Sequence, residues 1–250
     1  MTIDKQEISS RKPAIIAGCT YLIMFAVAII VEAIIRRRFI VPGDAVKTSH
    51  NILANEMLFR VEICHHIVIY VCDLIVAWAL YVFLKQVNNN LAILAAWLRM
   101  IYMVISSVVL INKINILHIL TNGDYSAVFG KSQIYAQVML YLDAFKYGWR
   151  IGFVFFGIHI FILGYLILKS SYVPRILGIL FMIVAFGFLI NSFASFLLPD
   201  YKKYEKLFRA VVGIPSFFGE ISFAFWLLLK GGKPSVTTPS ASRINYGDIT

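Results

Sequence analysis

Asp73, Arg99, His159 and Glu220 each interrupt a long apolar run, where an ionised side chain costs several kcal/mol unless it is paired or wet. Two carboxyls and an imidazole can hold and pass protons, and a guanidinium can fix a carboxylate or another anion. Their depths can be read from three anchors. Tyr81 precedes Lys85 by four residues, Tyr165 precedes Lys169 and Trp226 precedes Lys230 at the same spacing. Such a pair puts a ring at headgroup level and an ammonium in water. A helix rises about 1.5 Å per residue and the hydrocarbon core is about 30 Å thick, so the midplane lies about 10 residues from an anchor. Ten residues back from Lys169 is His159, ten back from Lys230 is Glu220, twelve back from Lys85 is Asp73, and ten forward from Asn89 is Arg99. The four therefore fall within about 3 Å of one depth on four different helices. That agreement fits a proton-handling, ligand or substrate site, and it equally fits a polar lock that fixes helix registry.

A second polar group gathers toward the opposite side of the bilayer from the N-terminus. It contains Glu62, His65, His66, Arg36, Arg37, Arg38, Asp44, Glu56 and Arg60, with Glu32, His118, Asp143 and Arg150 in the same zone. Glu62 and His66 are four apart and share a helical face, and Asp73 lies on nearly the same stripe. Cys64-His65-His66 cannot chelate one ion, because neighbouring residues of a helix point about 100° apart. Glu62 with His66 offers two metal ligands and needs a third from His118 or His159. The reading adopted is a wet polar vestibule with no metal and no cofactor. Asn191 and Ser192 read as interhelical hydrogen-bonding groups. Gly148, Gly152, Gly157 and Gly164 mark a face for close helix approach. No G-x-S-x-G, H-E-x-x-H or phosphate-binding glycine loop is present, so no soluble-enzyme active site is visible.

The elements that must carry these groups follow from composition. Apolar residues make up 60% of the 250, charged residues 14%, and mean hydropathy is +0.80. Soluble domains are far less apolar and more charged, whereas these values suit about six spans of about 20 residues each. The continuous apolar runs predict spans over about 14–35, 61–84, 91–111, 147–168, 176–198 and 210–229, and continuity rather than alternation selects helices over a barrel. The fold class is thus all-α, a polytopic membrane helical bundle of about six transmembrane helices. Residues 1–13 read as a polar tail, 14–230 as the membrane domain and 231–250 as a disordered polar tail. Residues 45–57 suit a short interfacial helix. Thr121-Asn122-Gly123 reads as a helix end and Ser132 as the start of a helix continuing into span four.

The net charge of +10 sits mostly in links between apolar runs, which points to lipid headgroups as partners and excludes nucleic acid. Cys19, Cys64 and Cys72 are an odd number inside apolar runs and predict free thiols, not disulfides.

Several stretches carry a resemblance. They are Gly43-Asp44-Ala45 with Thr48 and Asn51-Ile52, Glu56-Met57-Leu58-Phe59-Arg60, Phe156-Gly157-Ile158-His159, Gly164-Tyr165-Leu166, Lys169-Ser170-Ser171-Tyr172-Val173-Pro174-Arg175-Ile176-Leu177-Gly178, and Trp226-Leu227-Leu228-Leu229-Lys230-Gly231. Over about residues 14–231 the chain resembles the bacterial multi-span family called domain of unknown function 4386. The resemblance implies a multi-pass protein of the bacterial cytoplasmic membrane and assigns no catalytic role to any residue. Three functions are compatible with the residues: a non-enzymatic small transporter or sensory or accessory subunit handling a proton, small solute or lipid-like ligand; a membrane-embedded enzyme acting on a lipid or quinone-like substrate; and a purely structural membrane protein. No nucleophile stands beside a base at a recognisable spacing, which counts against the enzyme. A transporter this small would need a homodimer.

Overall fold

The structure, a computed structural model, describes residues 2–31 and 38–232, with side chains from Arg11 onward except that of Ser126. Glu32, Arg36, Arg37 and the tail from residue 233 lie outside the described residues. Eight helices and no strand are found among the described residues: α1 (Thr2–Ile30), α2 (Ala45–Ala54), α3 (Glu56–Leu84), α4 (Asn89–Thr121), α5 (Gly123–Val128), α6 (Lys131–Lys169), α7 (Arg175–Leu197) and α8 (Tyr201–Leu229). Six of them are long and apolar enough to cross a membrane, and the chain is a multi-pass helical membrane protein.

The boundaries differ from the apolar runs in an instructive way. Backbone helix already starts at Thr2, so α1 runs through the segment read as a polar tail. The α4 helix has 33 residues and α6 has 39, lengths of about 50 and 58 Å against a core of about 30 Å. Their excess extends past the bilayer on the side away from the N-terminus. There α2 packs against α6, α3 and α4. The Asp44 carboxylate accepts from the Lys47 N–H at 2.8 Å and caps α2, after a turn in which Gly43 has φ +82°, a conformation suited to glycine. Asn122 ends α4 as expected. The cap of α6 is Gly130, not Ser132, with the Gln133 side chain accepting from the Gly130 N–H at 3.1 Å.

The six long helices neighbour one another in chain order and α8 closes back on α1. Large apolar side chains face outward along them, Trp97, Val104 and Val108 on α4 and Ile179, Ile183 and Phe186 on α7 among them. A surface of this kind fits helices long and apolar enough to cross a membrane. Two anchors behave as their spacing requires: the Lys85 ammonium lies 6.0 Å from the Tyr81 ring centre and that of Lys169 5.7 Å from Tyr165. At the same end, Arg11 of α1 donates to the carbonyls of Leu227 (3.1 Å), Leu228 (2.6 Å) and Gly231 (2.7 Å), closing the ring at the C-terminus of α8, where a cation is favoured. Cys72 is buried, while Cys19 and Cys64 are exposed, and all three are free.

α6 and α7 cross backbone against backbone at Gly164 and Gly178. A Cβ on Gly178 would stand 2.8 Å from the Gly164 carbonyl oxygen, and one on Gly164 would stand 2.9 Å from that of Gly178. Backbone opposes backbone, so neither side can yield by rotating a side chain. Gly178→Ala is expected to destabilise the protein by about 1–3 kcal/mol, the usual cost of overpacking, read as a lower melting temperature in detergent. An unchanged melting temperature would show that this crossing is looser than the distances say.

Candidate functional site

Five of the six helices of the ring, α1, α3, α4, α6 and α8, bring one polar group each to a charged centre inside it. Arg99 of α4 is fully buried, at 1% exposure. Its Nε and Nη2 donate to the same Asp73 oxygen of α3 at 3.0 and 2.5 Å. Its Nη1 donates to the Tyr21 hydroxyl of α1 at 3.0 Å and lies 3.3 Å from His159 Nε2 of α6. The other imidazole nitrogen, Nδ1, is 2.8 Å from the Ala95 carbonyl. A carbonyl only accepts and a guanidinium only donates, so the proton sits on Nδ1 and Nε2 accepts from Arg99. The Tyr21 and Phe156 rings flank the guanidinium at 5.4 and 5.5 Å.

Three of the four groups singled out by depth are therefore in direct contact. The fourth, Glu220 of α8, is half-buried and close enough to interact electrostatically with Arg99, Asp73 and Tyr21. Among the described residues it has no hydrogen bond and no ion pair within 4.0 Å. Arg99 correspondingly uses four of its five N–H groups, leaving one on Nη2. Tyr21 is the member that the sequence reading missed. It lies ten residues after Arg11, so the same count from an N-terminal anchor reaches it; a tyrosine in an apolar run attracts no notice when only charged residues are searched.

The space beside this centre is small. A cavity of about 10 Å³ between α3, α4 and α6 touches His159 and is otherwise walled by residues such as Ala77, Leu80, Ala95 and Leu163. That volume holds about one water.

The vestibule residues separate into different environments. Glu62 is buried and paired with Lys113 of α4 at 2.5 Å, and the ammonium lies 4.3 Å from the Phe145 ring centre. His66 is buried, with Nδ1 2.7 Å from the Glu62 carbonyl. The nitrogens of His65 are buried without a hydrogen-bond partner among the described residues. Glu56 and Arg60 form a surface pair at 2.6 Å, Arg38 is exposed, and Asp44 caps α2. Glu62, His65 and His66 thus belong to a packed interior, not to one wet surface with Arg38, Asp44, Glu56 and Arg60. Lys113 follows the expected end of span three, and the longer α4 carries it inside. Among the described residues no group of three or more His, Cys, Asp or Glu side chains could hold a metal ion. Asn191 accepts from the Tyr201 hydroxyl at 2.7 Å, linking α7 to α8, whereas the Ser192 hydroxyl has no partner among the described residues.

Comparison with known proteins adds family but no activity. A family model described as domain of unknown function (DUF4386) matches residues 16–231. An uncharacterized protein of Archaeoglobus fulgidus is 35% identical over 173 residues, which is 68% of this chain and 85% of the relative. No solved structure matches.

Proposed function

The chain belongs to the DUF4386 family, and from that premise we propose that it is a non-enzymatic proton-handling protein of the cytoplasmic membrane, a small transporter or a sensory or accessory subunit, whose working part is the Arg99 centre. The observation that carries this reading is a mismatch. One guanidinium faces two carboxyls and bonds only Asp73 of the two, and among the described residues one of its N–H groups is unused while Glu220 stands nearby without a hydrogen bond. Two carboxylates and one guanidinium leave one negative charge too many for a membrane interior, and a single proton balances it. When that proton leaves, Glu220 can take the unused Arg99 donor, which draws α8 toward α4. The backbone of α8 allows such a movement. Pro215 lies inside the helix five residues before Glu220 and removes one backbone hydrogen bond. The groups facing Glu220 and Arg99 from the other helices are Tyr21, Asp73 and His159, so the proton has defined neighbours. The cavity beside His159 holds about one water, a size that suits a proton carrier and supports proton handling over catalysis.

The test is proton exchange by the purified chain in lipid nanodiscs after a pH jump, followed with an indicator dye. Wild type is expected to exchange about one proton per chain that Glu220→Gln does not, one being the surplus of carboxyls over guanidinium. Equal exchange by the two proteins overturns the proposal. In proteoliposomes, a steady Glu220-dependent proton flux identifies a transporter, and exchange without flux a sensory or accessory subunit.

A further inference from the structure

A larger cavity lies elsewhere, at the end of the bundle away from both the N-terminus and the C-terminal end of α8. Its volume is about 160 Å³, and α6, α7 and the first turns of α8 form it. Three cations line it, Lys146, Arg150 and Arg209, against one carboxylate, Glu205. Glu205 accepts from Lys146 at 2.7 Å and from Arg150 at 3.1 Å through the same oxygen, Oε1. Two cations sharing one carboxylate oxygen leave the lining with a positive excess even when Arg209 is left out of the count. Arg150 is held in place: its side chain is only 8% exposed, and its guanidinium lies 4.4 Å from the Tyr201 ring centre. Lys146, at 35%, is free to adjust. Trp149 and Phe153 supply an apolar wall.

Depth matters to what could bind. Arg150 precedes the Lys169 anchor by 19 residues, a rise of about 28 Å, close to the full core thickness of about 30 Å. The cations thus stand at the opposite headgroup level, where phosphate esters are concentrated. A guanidinium and an ammonium aimed into one cavity favour an oxyanion with several acceptors, and the aromatic wall accepts the carbon chain attached to it. We infer that this cavity binds a phosphate ester anion, supplied either by the headgroup of an anionic phospholipid or by a soluble glycerol phosphate-like solute. The inference does not depend on the proton chemistry of the Arg99 centre, which uses other residues.

The experiment uses the full chain in nanodiscs with two arms. In the first, mixed phosphatidylcholine and phosphatidylglycerol discs are used, and the lipid retained per chain is measured by native mass spectrometry. In the second, glycerol 3-phosphate is titrated calorimetrically against the chain in pure phosphatidylcholine discs. Binding in the first arm identifies the lipid source and binding in the second the soluble one. In the arm that binds, Lys146→Gln is expected to weaken binding about 10-fold, the loss of one charge-assisted bond. Glu205→Gln is expected to tighten it about 5-fold by removing the competing carboxylate. A merely structural Glu205 gives the opposite sign, so the pair of variants is informative even if an Arg150 variant fails to fold. No preference for phosphatidylglycerol together with no glycerol phosphate binding overturns the inference, and so does weaker binding by Glu205→Gln.

Discussion

Arg99→Met is expected to lower the stability of the protein in detergent by about 3–5 kcal/mol, the cost of leaving a buried charge without its partner. Asp73 is 2% exposed, and among the described residues Arg99 supplies both of the hydrogen bonds that reach its carboxylate. Methionine fills much of the arginine volume, so the loss reports charge and hydrogen bonding more than a cavity. Tyr21 and His159 lose a shared donor in the same step. The diagnostic experiment is a double-mutant cycle with Asp73→Asn, measured by chemical or thermal unfolding. The double variant is expected to be more stable than Arg99→Met alone, because no uncompensated carboxylate then remains. Strict additivity of the two single changes would mean that Arg99 and Asp73 are not energetically coupled, despite their 2.5 Å separation.

Lys113→Met is expected to cost about 3 kcal/mol by the same reasoning, because Glu62 is also buried and its carboxylate is bonded by Lys113. The two ion pairs join the same helices, α3 and α4, 11 residues apart on one (Asp73 and Glu62) and 14 on the other (Arg99 and Lys113). Together they fix the sliding register of the two helices as well as their separation. The surface pair Glu56–Arg60 is the internal control. Its side chains are 39% and 51% exposed, and Glu56→Gln is expected to change stability by no more than about 0.5 kcal/mol. If Lys113→Met proved as mild as Glu56→Gln, water would have to reach Glu62, and the packed interior described around it would be wrong.

Sequence alone determined the helical membrane fold, the number of spans and a shared level for Asp73, Arg99 and His159. Each of those rests on a local quantity: an apolar run must be long enough to cross hydrocarbon, its backbone must satisfy itself as a helix, and a fixed rise per residue converts a count into a height. Asp73, Arg99 and His159 were legible for that reason, since a count of residues places them at one level before any packing is known. The rotation of each helix about its own axis is not carried by such counts, because apolar side chains cover both the lipid face and the protein face and leave no clear stripe. Only the packed ring decided that Arg99 bonds Asp73 and leaves Glu220 beside it without a hydrogen bond among the described residues, that Tyr21 joins the centre from α1, and that Glu62 turns inward to Lys113. The cavity around Arg150 belongs to the same class, since its walls come from three helices whose residues are up to 64 positions apart, from Phe145 to Arg209, and only the tertiary fold brings their charges to one place.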